Sequence, residues 1–396
     1  MKTIKQISLE DKRVLIRVDF NVPLSGCFNI TDDSRMVAAL PTIKKVISDG
    51  GRAIIMSHLG RPKNGFEEKF SLKHIVNHLS NLLETPVAFS SDCIGEKTTS
   101  DVAKMNNGDV LILENLRFYH EETSGDENFA KKLSLLGDVY INDAFGAAHR
   151  AHASTAIIAG FFPNNKYFGF LLNKEIESLE RALSNPERPL TAIIGGAKIT
   201  GKIDVITTLF EKADNIIIGG GMAYTFAKAM GGEIGKSLVE EDRLVLAKQL
   251  IYEAKKKGVN LLLPIDSVNA DSFNNRAKTN FSNILSIKPD YMGLDIGSKS
   301  IAKFLEKIKL SKTLIWNGPM GVFEMKNFEN GTKKIGEAIC LATENGAFSL
   351  VGGGDSVAAL KKFNLADRVS YISTGGGAML EYLKGKHLPG VIAILN

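Results

Sequence analysis

Cysteine and tryptophan are scarce in this chain, three and one among 396 residues. Cys27, Cys93 and Cys340 are far apart, odd in number and without C-x-x-C spacing. That excludes a disulfide-stapled scaffold and a zinc ribbon, and it reads as reduced thiols. Proline, at 11 residues, falls below its usual share of about 5%. Long apolar runs are missing too. The best candidate, 151–165, is short and broken by His152, Ser154, Thr155 and Pro163, so no membrane span is expected. An excess of one charge is also lacking: 49 basic against 44 acidic side chains leave +5, too little for a dedicated nucleic-acid binder. The first twelve residues interrupt their apolar positions with charge and show no signal-peptide core, so a cytoplasmic location is expected.

Glycine is the residue in excess, 37 against a usual share of about 7%. Glycine without proline suggests tight turns between regular elements. Short β-branched runs recur with helix-patterned stretches between them: 14–18, 53–56, 110–113 and 139–141, then 192–194, 216–218, 261–263, 314–316, 348–351 and 369–372. Continuous apolar runs suit strands buried on both faces, and the alternation predicts parallel sheets covered by helices. The fold class is therefore α/β, with two doubly wound domains, each a mainly parallel sheet flanked by helices. A charged helix at 173–183 with a narrow apolar stripe (Ile176, Leu179, Leu183), ended by Pro186 and Pro189, suits a helical hinge between them. The apolar tail after Pro389-Gly390 should dock.

Ligands of open parallel sheets bind beyond the carboxyl ends of the strands. In the first half those positions hold Asp19, Asn21, His58, Arg61, Arg117, His149 and Arg150, and Arg35 follows Asp32-Asp33-Ser34, a helix-capping sequence. Such a gathering of cations is repulsive without an anion, and arginine favours forked bonding to phosphate or carboxylate. In the second half the strands end in glycine: Gly195-Gly196, Gly219–Gly221, Gly352–Gly354 before Asp355, and Gly375–Gly377. Bare backbone lets phosphate approach closely, and a following helix aims N–H groups at it, so a nucleotide is the natural ligand. Two familiar templates fail. The stretch Gly231–Ser237 approaches the G-x-x-x-x-G-K-[ST] loop but has Met230 at the first glycine position and follows a helical pattern. The G-x-G-x-x-G fingerprint fails at every triplet, which argues against a nicotinamide-dependent dehydrogenase. His74 and His78 have zinc-helix spacing without its glutamate and read as a solvated helix face.

The order of these pieces resembles phosphoglycerate kinase along essentially the whole chain. The matching segments are Arg17-Val-Asp-Phe-Asn-Val-Pro23, Ser57-His-Leu-Gly-Arg-Pro62, Glu114-Asn-Leu-Arg-Phe118, the run 142–155, Gly195-Gly-Ala-Lys198, Trp316-Asn-Gly-Pro-Met-Gly-Val-Phe-Glu324, Gly352-Gly-Gly-Asp-Ser356 and Ser373-Thr-Gly-Gly-Gly377. The resemblance implies reversible phosphoryl transfer from 1,3-bisphosphoglycerate to MgADP, giving 3-phosphoglycerate and MgATP, in line and after domain closure. It implies a 3-phosphoglycerate domain at 1–172 with 388–396 packing back onto it, a hinge at 173–185 and a nucleotide domain at 186–387. Asp19, Asn21, Arg35, His58, Arg61, Arg117 and Arg150 would hold 3-phosphoglycerate. Lys198, Lys202, Gly219, Gly220, Gly293, Asn317, Glu324, Gly352, Gly353, Gly354, Asp355 and Ser356 would hold the nucleotide, Asp355 its Mg²⁺. Arg35, Lys198, Gly375 and Gly376 would act on the transferring group. Small-molecule partners and a monomer are expected. Gly201 stands where the family usually has Asp, and Ser298 where Pro is common. A non-catalytic two-lobed anion binder is the rival reading; it has no need of Lys198 opposite Arg35.

Overall fold

The computed structural model describes residues 2–63 and 65–396. The chain divides into two compact units, Met1–Glu177 with His387–Asn396, and Ser178–Lys386. It therefore crosses between them twice, within the helix Phe170–Leu183 and again at Lys386/His387.

The first unit is built on β1 (Arg13–Arg17), β2 (Arg52–Met56), β3 (Val87–Ser90), β4 (Val110–Leu113), β5 (Val139–Asn142) and β6 (Lys166–Phe168). They form one sheet in the order β3-β4-β2-β1-β5-β6, every pair parallel. Side chains alternate between the faces of a strand. Val14, Ile16, Ala53, Ile55, Val110 and Ile112 pack on one face against Met36, Ala39, Ile43 and Val46 of the helix Ser34–Ser48. Their neighbours Leu15, Ile54, Leu111 and Tyr140, pointing the other way, are just as buried. Both faces are covered, which is why the strands read as unbroken apolar runs. Each buried valine, leucine, isoleucine or methionine among them contributes roughly 1.5–3 kcal/mol by leaving water. The terminal helix Pro389–Leu395 belongs to this unit, with Gly390 donating to Ala148 O at 2.9 Å.

The second unit contains β7 (Leu190–Ile194), β8 (Asn215–Ile218), β9 (Glu233–Ile234), β10 (Asn260–Leu262), β11 (Asp266–Ala270), β12 (Thr279–Asn283), β13 (Ser286–Ile287), β14 (Met292–Ile296), β15 (Thr313–Asn317), β16 (Phe348–Val351) and β17 (Tyr371–Ile372). Six of them make a parallel sheet, β10-β8-β7-β15-β16-β17. The others form a two-stranded pair, β13-β9, and an antiparallel sheet, β12-β11-β14. Apolar runs do not announce that antiparallel sheet, because Asp-Ser-Val-Asn-Ala and Thr-Asn-Phe-Ser-Asn are mostly polar; Asn269 bonds across to Asn280 and Ser282. The edge strands β3 and β6 also escape a search for apolar runs. At 369–372 only the last two residues pair, since Val369 ends a short 3-10 turn.

All three cysteines are free thiols, Cys27 exposed and the others buried. Among the described residues no helix is long and apolar enough to cross a membrane.

Candidate active site

Apart from Arg35, which lies in the first turn of the helix Ser34–Ser48, each anion-binding candidate of the first unit follows a strand of its sheet at the carboxyl end. Asp19 and Asn21 follow β1, His58 and Arg61 follow β2, Arg117 follows β4, and Arg150 ends the loop after β5. Arg61, Arg117 and Arg150 line one cavity of about 430 Å³ together with Lys63, His120 and Thr123. Among the described residues no carboxylate lines it. Beside them, the Arg35 Nη1 atom donates to both Asp19 oxygens and to Asn21 O, each at 3.2 Å. The Asn21 side chain accepts from Gly60 N–H at 2.8 Å, and Arg117 donates to Gly60 O at 2.8 Å, so the loop after β2 is clamped from two sides.

Behind these groups lies a buried network that the motif reading passed over. Arg17, fully buried, points its Nε at Ser154 Oγ (2.7 Å) and an Nη at His58 Nδ1 (3.2 Å). Glu122, equally buried, accepts from Ser154 Oγ at 2.6 Å and from Ser154 N–H at 3.0 Å, and it stands 3.9 Å from Arg17. The signal was present in the sequence, an arginine ending an apolar run, Arg13-Val-Leu-Ile-Arg17. A charge at a buried strand position needs a buried partner.

Burial first, then Arg17, Arg117 and Arg35, hold the His58 imidazole well below its ordinary pKa. Burial, then Arg17, Arg117 and Arg150, push His152 down to about 3, and burial, then Arg17 and Arg150, bring Arg117 down to about 10. The ligand-free cluster thus rejects further positive charge and accepts an anion. His58 should therefore stay uncharged at pH 6, and its NMR shift should show no midpoint between pH 6 and 8. The unfolded chain protonates its histidines near 6.5, so the folded state loses stability as pH falls through that value. A His58 midpoint above 6.5 would contradict the arginine field.

In the second unit a cavity of about 490 Å³ is walled by Gly220, Gly293, Glu324 and Asp355 among the expected residues, with Tyr224, Lys236, Phe273 and Met320 among the unexpected ones. Lys236 belongs to the stretch rejected as a phosphate loop. That rejection holds, since the stretch leads into no helix, but its Ser237 accepts the Gly293 N–H at 2.9 Å and so shapes the cavity wall. A second group of expected residues meets beside Asp355. Lys202 donates to the Asn317 side-chain oxygen, Asn317 donates to Gly352 O at 2.8 Å, and Ser356 Oγ accepts Gly318 N–H at 2.6 Å. Burial pulls Lys202 down to about 8 against the attraction of Asp355. Gly353 and Gly375 stand immediately before helices Gly354–Lys362 and Gly376–Leu383. A Cβ on Gly376 would lie 3.1 Å from Gly353 Cα, so these two helix N-termini come together. Lys198 is exposed, in neither group, on a segment fastened by Glu240, which accepts from Ile199 N–H and Thr200 Oγ at 2.5 Å.

The glycine reading needs one correction. Gly195, Gly196, Gly219 and Gly220 give their N–H groups to Asn317, Pro319, Ile194 and Met320 carbonyls, so these four N–H groups are already taken. Their missing Cβ instead lets loops cross: one on Gly195 would overlap Pro319 O, and Gly220 also has φ +68°. The histidine pair is no bare solvated face either. His74 is stacked on Phe28 (4.1 Å between centroids) and bonded to Glu68 O, while His78 pairs with Asp33 at 2.9 Å.

Comparison with known proteins decides the lineage. The family model described as phosphoglycerate kinase matches residues 4–386. A phosphoglycerate kinase of Porphyromonas gingivalis is 52% identical over 99% of both chains, and one of Chlorobium chlorochromatii 50% identical over 100% of this chain and 99% of its own. The chain belongs to the phosphoglycerate kinase family. Solved phosphoglycerate kinases agree: that of Coxiella burnetii superimposes with a TM-score of 0.91 at 41% identity (99% of this chain, 98% of that one). That of Pyrococcus horikoshii does so with 0.82 at 31% identity (100% and 98%). As a phosphoglycerate kinase the chain is a phosphotransferase with a carboxyl acceptor. It passes a phosphoryl group reversibly from 1,3-bisphosphoglycerate to ADP, in glycolysis.

Proposed function

We propose that the first unit holds 3-phosphoglycerate or 1,3-bisphosphoglycerate and the second holds the nucleotide. One direct in-line transfer then occurs when the two ligands are brought within bonding reach. The observation that carries this division is the cavity walled by Arg61, Arg117 and Arg150 with no acid among the described residues of its lining. Three guanidinium groups around one space suit a phosphate, and the glycine-walled cavity with a mostly apolar surround suits a base and ribose. Among the described residues Arg35 makes its three hydrogen bonds through Nη1, which leaves Nε and Nη2 for a ligand. Asp19 and Asn21 would then meet the glycerate hydroxyl and carboxyl region, and His58 would stay neutral as a hydrogen-bonding group. Glu324 would face the ribose, and Gly375 and Gly376 would present N–H groups to the migrating group.

Among the described residues no three His, Cys, Asp or Glu gather as a metal site. Asp355, in the first turn of its helix and on the cavity wall, fits a Mg²⁺ that shares its coordination with nucleotide phosphates, the usual manner for this ion. Bound there, it would neutralise charge on the phosphate oxygens. Transfer itself asks little covalent chemistry of the chain; it needs alignment, cations and the exclusion of water from a labile acyl phosphate. A soluble cytoplasmic monomer fits this reading.

ATP, Mg²⁺ and 3-phosphoglycerate should yield an acyl phosphate that hydroxylamine traps, and excess EDTA should stop its formation. Absence of trapped product would reject the activity. Arg61→Ala should weaken 3-phosphoglycerate by about tenfold or more while ADP affinity stays unchanged. Calorimetry showing both ligands weakened equally would overturn the division between units.

A further inference from the structure

We infer that Glu122, Ser154 and Arg17 are a chain of positioning residues that fixes which ring nitrogen of His58 carries its proton, so that His58 meets the acid substrate as a neutral N–H donor. The direction of each bond follows from what each group can give. Arginine only donates, so the Arg17 Nη2 atom 3.2 Å from His58 Nδ1 requires a bare nitrogen there. Arg17 Nε donates to Ser154 Oγ at 2.7 Å, which leaves that hydroxyl its own proton to give. Glu122 Oε1 takes it at 2.6 Å, and Glu122 Oε2 accepts the Ser154 N–H at 3.0 Å. The remaining Arg17 nitrogen, Nη1, donates to Val18 O, so the guanidinium is held at all three nitrogens and cannot turn away from the ring. Ser154 is pinned in the same way, its carbonyl accepting from Tyr140 Oη at 2.7 Å. All four side chains of the chain are buried, so bulk water does not compete for these protons.

With Nδ1 bare and the ring uncharged, the proton is on Nε2. That atom stands 3.9 Å from Asp19 Oδ1, on the side where Asp19 receives Arg35. Arg17, Arg117, Arg35 and His152 all act against a second proton on the ring. An Nε2–H can donate to a hydroxyl, carboxylate or phosphate oxygen, whereas the other tautomer would aim a lone pair at an anion. A neutral donor also adds a directed bond without adding charge to a site already crowded with arginines. The carboxylate of Glu122 thus orders the ring from two residues away, through a hydroxyl and a guanidinium. This rests on the reading of His58 as a group that meets 3-phosphoglycerate.

The test uses the full chain with ¹⁵N-labelled histidine, whose ring shifts separate a protonated nitrogen from a bare one; His58→Ala assigns the His58 signals by their loss. At pH 7 without ligand the parent should show His58 as one tautomer, Nδ1 bare and Nε2 protonated. A protonated Nδ1, or a comparable mixture of the two forms, would overturn the inference. In Ser154→Ala the hydroxyl between Arg17 and Glu122 is gone, and their attraction across 3.9 Å draws the guanidinium off the ring. His58 should then populate both tautomers, with 3-phosphoglycerate affinity about fivefold to tenfold weaker by calorimetry and ADP affinity within twofold of the parent. A Ser154→Ala protein that keeps the single tautomer would remove the positioning role. Glu122→Gln, whose amide oxygen still accepts the Ser154 proton, should keep the parent's tautomer, and a mixture there would equally overturn the chain. Should a variant fail to fold, the parent spectrum decides alone. Failure of the underlying reading shows differently, as a parent with the stated tautomer whose 3-phosphoglycerate affinity is indifferent to His58→Ala.

Discussion

Lys198→Ala should lower kcat by about a hundredfold to a thousandfold, with little change in the KM for ADP or in the melting temperature. Lys198 is exposed, and among the described residues it enters no close ion pair. Its segment is nevertheless held in place by the Glu240 bonds to Ile199 and Thr200. A charge near Glu240 that forms no close pair with it does little for the resting protein. It acts when charge spreads over the oxygens of the migrating group, and an interaction made only in the transition state appears in kcat. Steady-state kinetics check this. If kcat stays within tenfold and only the nucleotide KM rises, Lys198 is a ground-state binding group instead.

Arg35→Ala should reduce kcat/KM for 3-phosphoglycerate by about a hundredfold or more, and Arg35→Lys should recover only part of it. The guanidinium spends one nitrogen on Asp19 and Asn21, which fixes the orientation of the rest. A lysine ammonium keeps the charge but cannot hold Asp19 and a phosphate oxygen in the same fixed fork. Stability should drop by at most about 1 kcal/mol, because the Arg35 side chain is 37% exposed in its pair with Asp19. Full recovery of kcat/KM by Lys would mean that charge alone matters at this position. A fall of several kcal/mol would mean that the pair supports the fold.

Fold class was legible because its causes are local. Val110–Leu113 and the run 53–56 carry their burial on both faces as uninterrupted apolar letters. The antiparallel sheet was not, because its strands Asp266–Ala270 and Thr279–Asn283 are held by cross-strand pairing and amide contacts that become visible only when the partners are adjacent. The same division runs through the candidate site. Arg61, Arg117 and Arg150 could be singled out because each follows a strand or its loop. Phe273 could not, since it reaches the cavity wall from a segment without a motif, and Lys236 and Met320 lie in stretches that were noticed for other reasons. The glycine turns were half legible. A missing side chain shows that something comes close, but the letter is the same whether the visitor is a phosphate or the Pro319 carbonyl.

By itself, the order of residues determined that two parallel, helix-covered sheets would form and that cations and glycines would crowd the ends of their strands. Those outcomes follow from side-chain alternation and from chain connectivity, both of which are properties of neighbours along the chain. Only the tertiary structure decided that Arg17 is balanced by Glu122 from 105 positions away, and that Ser154 bonds to both. Hydrogen bonds and charge pairs act over about 3–4 Å of space whatever the separation in sequence, so they exist only once the fold has set the distances.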